Sequence, residues 1–350
     1  MNTFFLDRLN SEPHALAFAG QSTPWPVALA DQSANPALDE ALHTHAAAAQ
    51  ALLYPVSAEL LATTGRPVDL FGFEPNPARL GAAAAASASV PGIALTQLGA
   101  LLDAAALGYN PAQAKPVAVL GHSQGVLAVH MVQAICEAGS IDAAAAKIDE
   151  ILAIATLIGV AGTRQARQLG LAARHGEATP MLSVKDITRA QVDALIERVD
   201  GARGPIAVAV TNSATHYVLS GYPEDLAAFG VEVAKEHKRQ AKLREEKVRG
   251  GRVFDPTLEY LDVTLPFHSP LMADAVSQAV AWAEACGINA DHARELAAEV
   301  LLNHVDWAAR VRALMKSTDP SALWVLDFGP GNTVGKLFST VAQAPASAWW

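Results

Sequence analysis

The chain has 350 residues, of which 51% are hydrophobic and 17% charged; this excludes general disorder, supplies apolar material for a large core, and suggests about two structural units. Its 25 Lys and Arg face 35 Asp and Glu, a formal charge of −10, which disfavours wholesale nucleic-acid binding. Residues 1–20 carry Asp7, Arg8, Glu12 and Pro13 and lack a basic start followed by an apolar run, so no secretory leader is expected. No run of about 18 apolar residues is free of charges and breakers, so no membrane span is expected. Cys136 and Cys286 make neither a disulfide framework nor metal-ligand spacing, and a reducing cytoplasm is the expected setting, with no metal site.

The first predicted strand is residues 15–19, ending at Gly20-Gln21. The alanine-rich residues 82–89 read as packed helix rather than linker, since alanine is the best helix former. Pro91 then stands near the start of a second helical run, 92–107. A second strand is predicted over 117–120 and a third over 323–328, which runs into Gly329-Pro330-Gly331. These runs are apolar throughout and separated by helical segments, the pattern of a buried parallel sheet covered on both faces. The middle reads differently: strand 181–184, helix 188–199, strands 206–211 and 217–220 joined by a turn at Asn212-Ser213, helix 223–236, strand 259–265. That β-α-β-β-α-β order is the ferredoxin-like arrangement. Further helices are predicted over 275–286 and 291–302.

Charge is uneven along the chain. Residues 235–252 hold Lys235, Lys238, Arg239, Lys242, Arg244, Lys247, Arg249 and Arg252 against Glu236, Glu245 and Glu246. Two readings stand: a solvated helix and loop, or a cationic patch for phosphates or an acidic partner.

The strongest chemical signal is Gly121-His122-Ser123-Gln124-Gly125, between an apolar strand and the helical run 126–138. This is the context of a G-x-S-x-G nucleophile elbow. Flanking glycines let the turn close against neighbouring strands, and the following helix aims its N-terminal dipole at Ser123. The expected fold is therefore α/β: a parallel-sheet, α/β-hydrolase-like large domain (1–179 and 266–350) with an inserted ferredoxin-like (βαββαβ) small domain (180–265).

A serine hydroxyl needs a base. His122 adjoins Ser123, but its side chain is expected to point away, in a structural role. His268, in Leu265-Pro266-Phe267-His268-Ser269, lies where the inserted domain rejoins the large one, and a loop there can hang its imidazole over the cleft. An oxyanion hole needs two donors. The backbone N–H of Gln124 is one, and the turn after the first strand offers that of Gln21, unless that turn is an ordinary loop.

Six segments in this order resemble the acyltransferase domains of fatty acid and polyketide synthases, most closely the acetyltransferase domain of type I fatty acid synthases of the fungal and actinobacterial kind. They are Phe18-Ala19-Gly20-Gln21, Gly121-His122-Ser123-Gln124-Gly125, Pro180-Met181-Leu182-Ser183, residues 212–221, Pro266-Phe267-His268-Ser269 and Asp327-Phe328-Gly329-Pro330-Gly331. The resemblance implies an [acyl-carrier-protein] S-acetyltransferase that primes fatty acid synthesis. Ser123 takes an acyl group from acyl-CoA, with His268 as base, and passes it to the phosphopantetheine thiol of an acyl carrier protein. No permanent cofactor is implied; the partners are the carrier protein and other synthase domains, in the cytoplasm, with neither nucleic acid nor membrane. The chain is expected to be one domain of a longer polypeptide.

In that family a backbone carbonyl, not a carboxylate, orients the histidine. The resemblance places it near residues 303–307, with Val300 as the candidate; Asp274, Asp306 and Asp327 remain open as a third member, and Asp327 reads as structural. Malonyl-loading relatives carry an arginine where Ile158 stands before Gly159-Val160, so Ile158 is assigned to the acyl pocket and acetyl is favoured. Arg164, six residues on, points well off that face. Malonyl or palmitoyl loading is the alternative within the class. A serine esterase or thioesterase is another, disfavoured because the inserted domain fills the interval where hydrolases usually place the third acid. A non-catalytic docking module is a third. The chain departs from many relatives between Met272 and Asn303, where it is short and helical.

Overall fold

The computed structural model describes residues 9, 12–72, 85–171, 178–245, 254–342 and, by backbone alone, 348–349. Strand β1 (His14–Phe18) leads into helices α1 (Trp25–Ser33), α2 (Pro36–Leu52), α3 (Ser57–Thr64) and α4 (Ala86–Ala106). A one-turn helix α5 (Pro111–Ala114) precedes β2 (Ala118–Gly121), α6 (Val126–Ala138) and α7 (Ala145–Gln168). The middle of the chain gives β3 (Met181–Lys185), α8 (Arg189–Ile196), β4 (Ala207–Ser213), β5 (His216–Ser220), α9 (Pro223–Glu245) and β6 (Thr257–Tyr260). Then follow α10 (Ala273–Ala285), α11 (Ala290–Leu301), β7 (Val305–Asp306), α12 (Trp307–Ser317), β8 (Trp324–Asp327), α13 (Thr333–Ala342) and β9 (Ala348–Trp349).

The outer elements form a parallel sheet in the order β2-β1-β8-β9, with Phe18 opposite Gly121 and Ala17 opposite Asp327. Every residue of β1 is buried, as expected of a strand covered on both faces. The middle elements form a second sheet, β6-β3-β5-β4, antiparallel throughout, which is the ferredoxin-like order. This sheet gains a fifth strand from outside the predicted small domain: β7 pairs parallel to β4, with Val210 opposite Val305 and Thr211 opposite Asp306. Period-two alternation divides its side chains. Leu182, Val184 and Leu219 pack with Val192, Leu226 and Phe229 of α8 and α9 in one core. Met181, Ala209, Val210 and Val218 join the large core instead.

Several boundaries differ from the sequence reading. Helix α4 runs unbroken through Pro91, which sits in its second turn where few intrahelical bonds are lost; residues 82–84 lie outside the described part. Asn212 and Ser213 belong to β4, and the chain turns at Ala214-Thr215. Strand β6 lies earlier than expected, because Thr257–Tyr260 is the stretch in register with β3. Helix α9 continues to Glu245, its cationic second half carried by ordinary helix formers. Of the basic stretch, residues 246–252 lie outside the described part.

Helix α4 is long and apolar enough to cross a membrane by length and composition, yet 83% of its most apolar window is buried inside the protein. Gly159 of α7 lies so close to the Ala86 carbonyl that a Cβ would collide with it. Gly162, one turn on, backs onto Leu265 in the same way. Helix α7 is thereby pressed between the start of α4 and the segment that leads into His268.

Candidate active site

Strand β2 ends at Gly121, and the chain turns sharply into a 3₁₀ turn over Ser123–Gly125 that continues into α6. Ser123 holds φ at +54°, the left-handed region that an L side chain enters only at a cost of roughly 1–3 kcal/mol. The surroundings fix it there. The His122 N–H donates to the Phe18 carbonyl (2.9 Å) and the Gly125 N–H to the His122 carbonyl (3.0 Å). A Cβ on Gly125 would strike the Phe18 carbonyl, and one on Gly20 would sit 2.8 Å from the Ser123 Cβ and 2.7 Å from the His122 carbonyl oxygen. The turn after β1 therefore lies directly on the elbow.

The structure brings Ser123 and His268 together. The Ser123 Oγ is 2.7 Å from His268 Nε2, and His268 Nδ1 is 2.8 Å from the Asn303 carbonyl oxygen. A carbonyl only accepts, so Nδ1 carries the proton and Nε2 is left as acceptor for the serine hydroxyl. His268 is 2% exposed and also has positive φ, +57°. Burial is the main cause that pushes its pKa down to about 3; the Asn303 carbonyl opposes this, and nearby His122, His304 and Arg310 lower it further. The imidazole at 268 is thus neutral.

The orienting carbonyl is Asn303's, not that of Val300. Val300 is buried in the last turn of α11, where carbonyls run along the helix axis; the chain must leave the helix at Leu301 before a carbonyl can turn toward His268. Among the described residues, no carboxylate stands at Nδ1. Asp306 caps α12 by accepting from the Ala309 N–H (2.8 Å), and Asp274 lies in the first turn of α10. Asp327 accepts from the N–H groups of Gly329 (2.9 Å) and Gly335 (2.8 Å), and its burial raises its pKa to about 6.

Gln21 and Gln124 meet through their side chains: Gln21 Nε2 donates to Gln124 Oε1. His122 points away from the serine and donates its Nε2–H to Asn212 Oδ1 of β4 (2.7 Å), packing edge-on to Trp307. Arg310 of α12 donates to the Gly121 carbonyl (3.0 Å). Sequence reasoning assigned no role to Asn212 or Arg310, each remote along the chain; the run at 212–221 was the available signal for the first, and nothing marked the second. Among the described residues, no three His, Cys, Asp or Glu side chains are placed to hold a metal ion.

A model of the fatty acid synthase central AT domain matches residues 180–260. The chain is 26% identical over 291 residues to the fatty acid synthase beta subunit TOXC of Cochliobolus carbonum, covering 71% of this chain and 13% of that subunit. In sequence the chain is similar to fatty acid synthase subunits. In fold it resembles the malonyl CoA-acyl carrier protein transacylase of Coxiella burnetii (TM-score 0.64, 17% identity, 97% of this chain and 93% of that one). It also resembles a type II polyketide synthase malonyl-transacylase solved in complex with its acyl-carrier protein (TM-score 0.61, 17% identity, 97% and 96% covered). The chain spans only 8–13% of the length of the fatty acid synthase beta subunits it matches.

Ile158 is fully buried in α7 and shares a helix face with Gly162, four residues on, which abuts Leu265. Arg164 is directed elsewhere, donating to Gln278 of α10 (2.8 Å) and lying over Trp282, and Arg167 donates to the Thr63 carbonyl.

Proposed function

We propose that the chain transfers an acyl group, acetyl by preference, from acyl-CoA to the phosphopantetheine thiol of an acyl carrier protein, as one station of a fatty acid synthase. The observation that carries this reading is the Ser123–His268–Asn303 line, 2.7 Å and 2.8 Å, with a neutral imidazole between hydroxyl and carbonyl. In the first half-reaction the Ser123 Oγ–H proton passes to His268 Nε2 as Oγ bonds the thioester carbon. The C–S bond then breaks, and the CoA sulfur leaves with that proton. In the second half a carrier thiol gives its proton to His268, its sulfur bonds the acyl carbon, and the C–Oγ bond breaks as Ser123 regains a proton. The Asn303 carbonyl faces the imidazolium formed in each half, the part that the third carboxylate plays in hydrolase triads. The negative charge on the acyl oxygen falls to the backbone N–H groups of Gln124 and Gln21.

Acetyl preference rests on the resemblance, which assigns Ile158 to the acyl pocket. Ile158 supplies no cation, and Arg164 and Arg167 are engaged elsewhere, so a buried malonyl carboxylate lacks a partner and is costly. Malonyl is the second reading, favoured by the likeness in fold to malonyl transacylases. Intact-mass measurement of the acyl-enzyme after equal exposure to acetyl-, malonyl- and palmitoyl-CoA decides between them. Acetyl labelling lost in Ser123→Ala, with transfer to pantetheine far exceeding release of acetate, is expected. Preferential malonyl labelling overturns the Ile158 assignment, dominant acetate release points to an esterase, and no labelling removes the enzyme reading.

A further inference from the structure

Four groups beside the elbow form a chain with one consistent direction. The Ser89 hydroxyl donates to Gln21 Oε1 (2.9 Å), Gln21 Nε2 donates to Gln124 Oε1, and Gln124 Nε2 donates to the Val90 carbonyl (2.6 Å). Ser89 and Val90 are consecutive residues in the first turns of α4, 2% and 0% exposed, and Gln124 is 0% exposed. The relay therefore starts and ends on the same stretch of one rigid helix. It passes through the side chains of the two residues whose backbone N–H groups are assigned to the oxyanion.

The direction is over-determined. The Val90 carbonyl only accepts, so the Gln124 amide must present its NH₂ there and its oxygen to Gln21. Gln21 must answer with its own NH₂, which turns Gln21 Oε1 toward α4, where a donor is required. Ser89 is that donor. A third amide secures the other end of the turn: fully buried Gln97, also on α4, donates to the Ala19 carbonyl (2.7 Å) and the Gly329 carbonyl (3.0 Å).

We infer that Ser89 is a positioning residue for acyl transfer: its hydroxyl, acting through the Gln21–Gln124 amide pair, holds the two oxyanion-donating backbones in register with Ser123. This rests on the proposed function, and the test separates the two. The full chain is assayed with acetyl-CoA and pantetheine. Ser89→Ala leaves Gln21 Oε1 without its donor and lets the Gln21 amide turn. It is expected to lower kcat about tenfold, less than the roughly hundredfold expected for outright loss of an oxyanion donor, while KM for acetyl-CoA stays within about twofold. Ser89→Thr, which keeps the hydroxyl, is expected to stay within about threefold of wild type. Gln21→Met breaks the middle link but leaves the backbone N–H in place, and it tests the same relay should Ser89→Ala not fold. The double variant is expected to be no slower than the slower single one, because both act through one relay. Wild-type kcat in either single variant, or multiplicative losses in the double one, overturns the inference while acyl-enzyme formation by the wild type leaves the function standing. A wild type that forms no acyl-enzyme overturns both.

Discussion

At the scale of single residues, the imidazole proposed as base is set by where its proton is held. His268 is buried with its Nδ1–H committed to the Asn303 carbonyl, and burial holds its pKa near 3 against an ordinary 6.5. His122 and His216 are lowered for the same leading reason, His216 to about 4. A base must be unprotonated to act, so Ser123 acylation is expected to show no acid limb near pH 6.5 and to stay level from about pH 5 to 8. A single-turnover pH series with acetyl-CoA checks this, and a limb centred near 6.5 contradicts it. The same shift is a statement about stability. Between the folded value near 3 and the unfolded value near 6.5, the unfolded chain binds the extra proton, so the contribution of neutral His268 is present above that window and is lost as pH falls through it. His268→Gln is therefore expected to flatten the fall in Tm between pH 7 and 4.5 relative to wild type.

Elements show why some of this was legible in the sequence and some was not. Strand, tight turn and helix around Ser123 follow from local composition: an apolar run, then glycines where backbones touch. Gly125 has an ordinary φ of −54°, so its need is for space: the atoms that a Cβ would meet are backbone atoms of Phe18 and Ala19, which cannot swing aside. Gly65 is the contrary case, with φ at +76° and nothing within 4 Å. Gly125→Ala is accordingly expected to cost about 3 kcal/mol and Gly65→Ala about 1 kcal/mol, read from denaturant midpoints. Equal costs would refute the packing argument. The imidazole at 268 was suggested by its place in a loop and became legible through the resemblance, on Pro266-Phe267-His268-Ser269. The carbonyl that orients it was not: which peptide oxygen escapes a helix depends on where the helix ends, and side-chain pattern does not encode that to within three residues. Asn303 rather than Val300 is the consequence. The turn misplaced at Asn212-Ser213 has a similar origin, since residues of good turn propensity were drawn into β4, where Asn212 meets His122.

For the whole molecule, the question is whether the two sheets stand or fall together. The second sheet buries Met181, Ala209, Val210 and Val218 in the large core, and its edge strand β4 is closed by β7, two residues beyond the carbonyl that holds His268. His122 to Asn212 and Thr211 to His304 (3.0 Å) cross the same seam. A sheet with one face in a neighbouring core cannot lose that neighbour without exposing apolar surface, so unfolding is expected to be a single transition. The tryptophans provide the test. None lies between residues 180 and 265, and Trp25, Trp282 and Trp307 are buried in the large core. Their fluorescence therefore follows the large core alone, while far-ultraviolet circular dichroism follows both sheets. Urea midpoints from the two probes are expected to coincide in the wild type. They are expected to coincide also in Asn212→Ala, at a stability lower by about 1–3 kcal/mol, because the His122 ring N–H is then left buried without an acceptor. Separate midpoints in the wild type would mean that the sheets unfold independently, and the alignment of Ser123 with His268 would then have to be maintained by the large core alone.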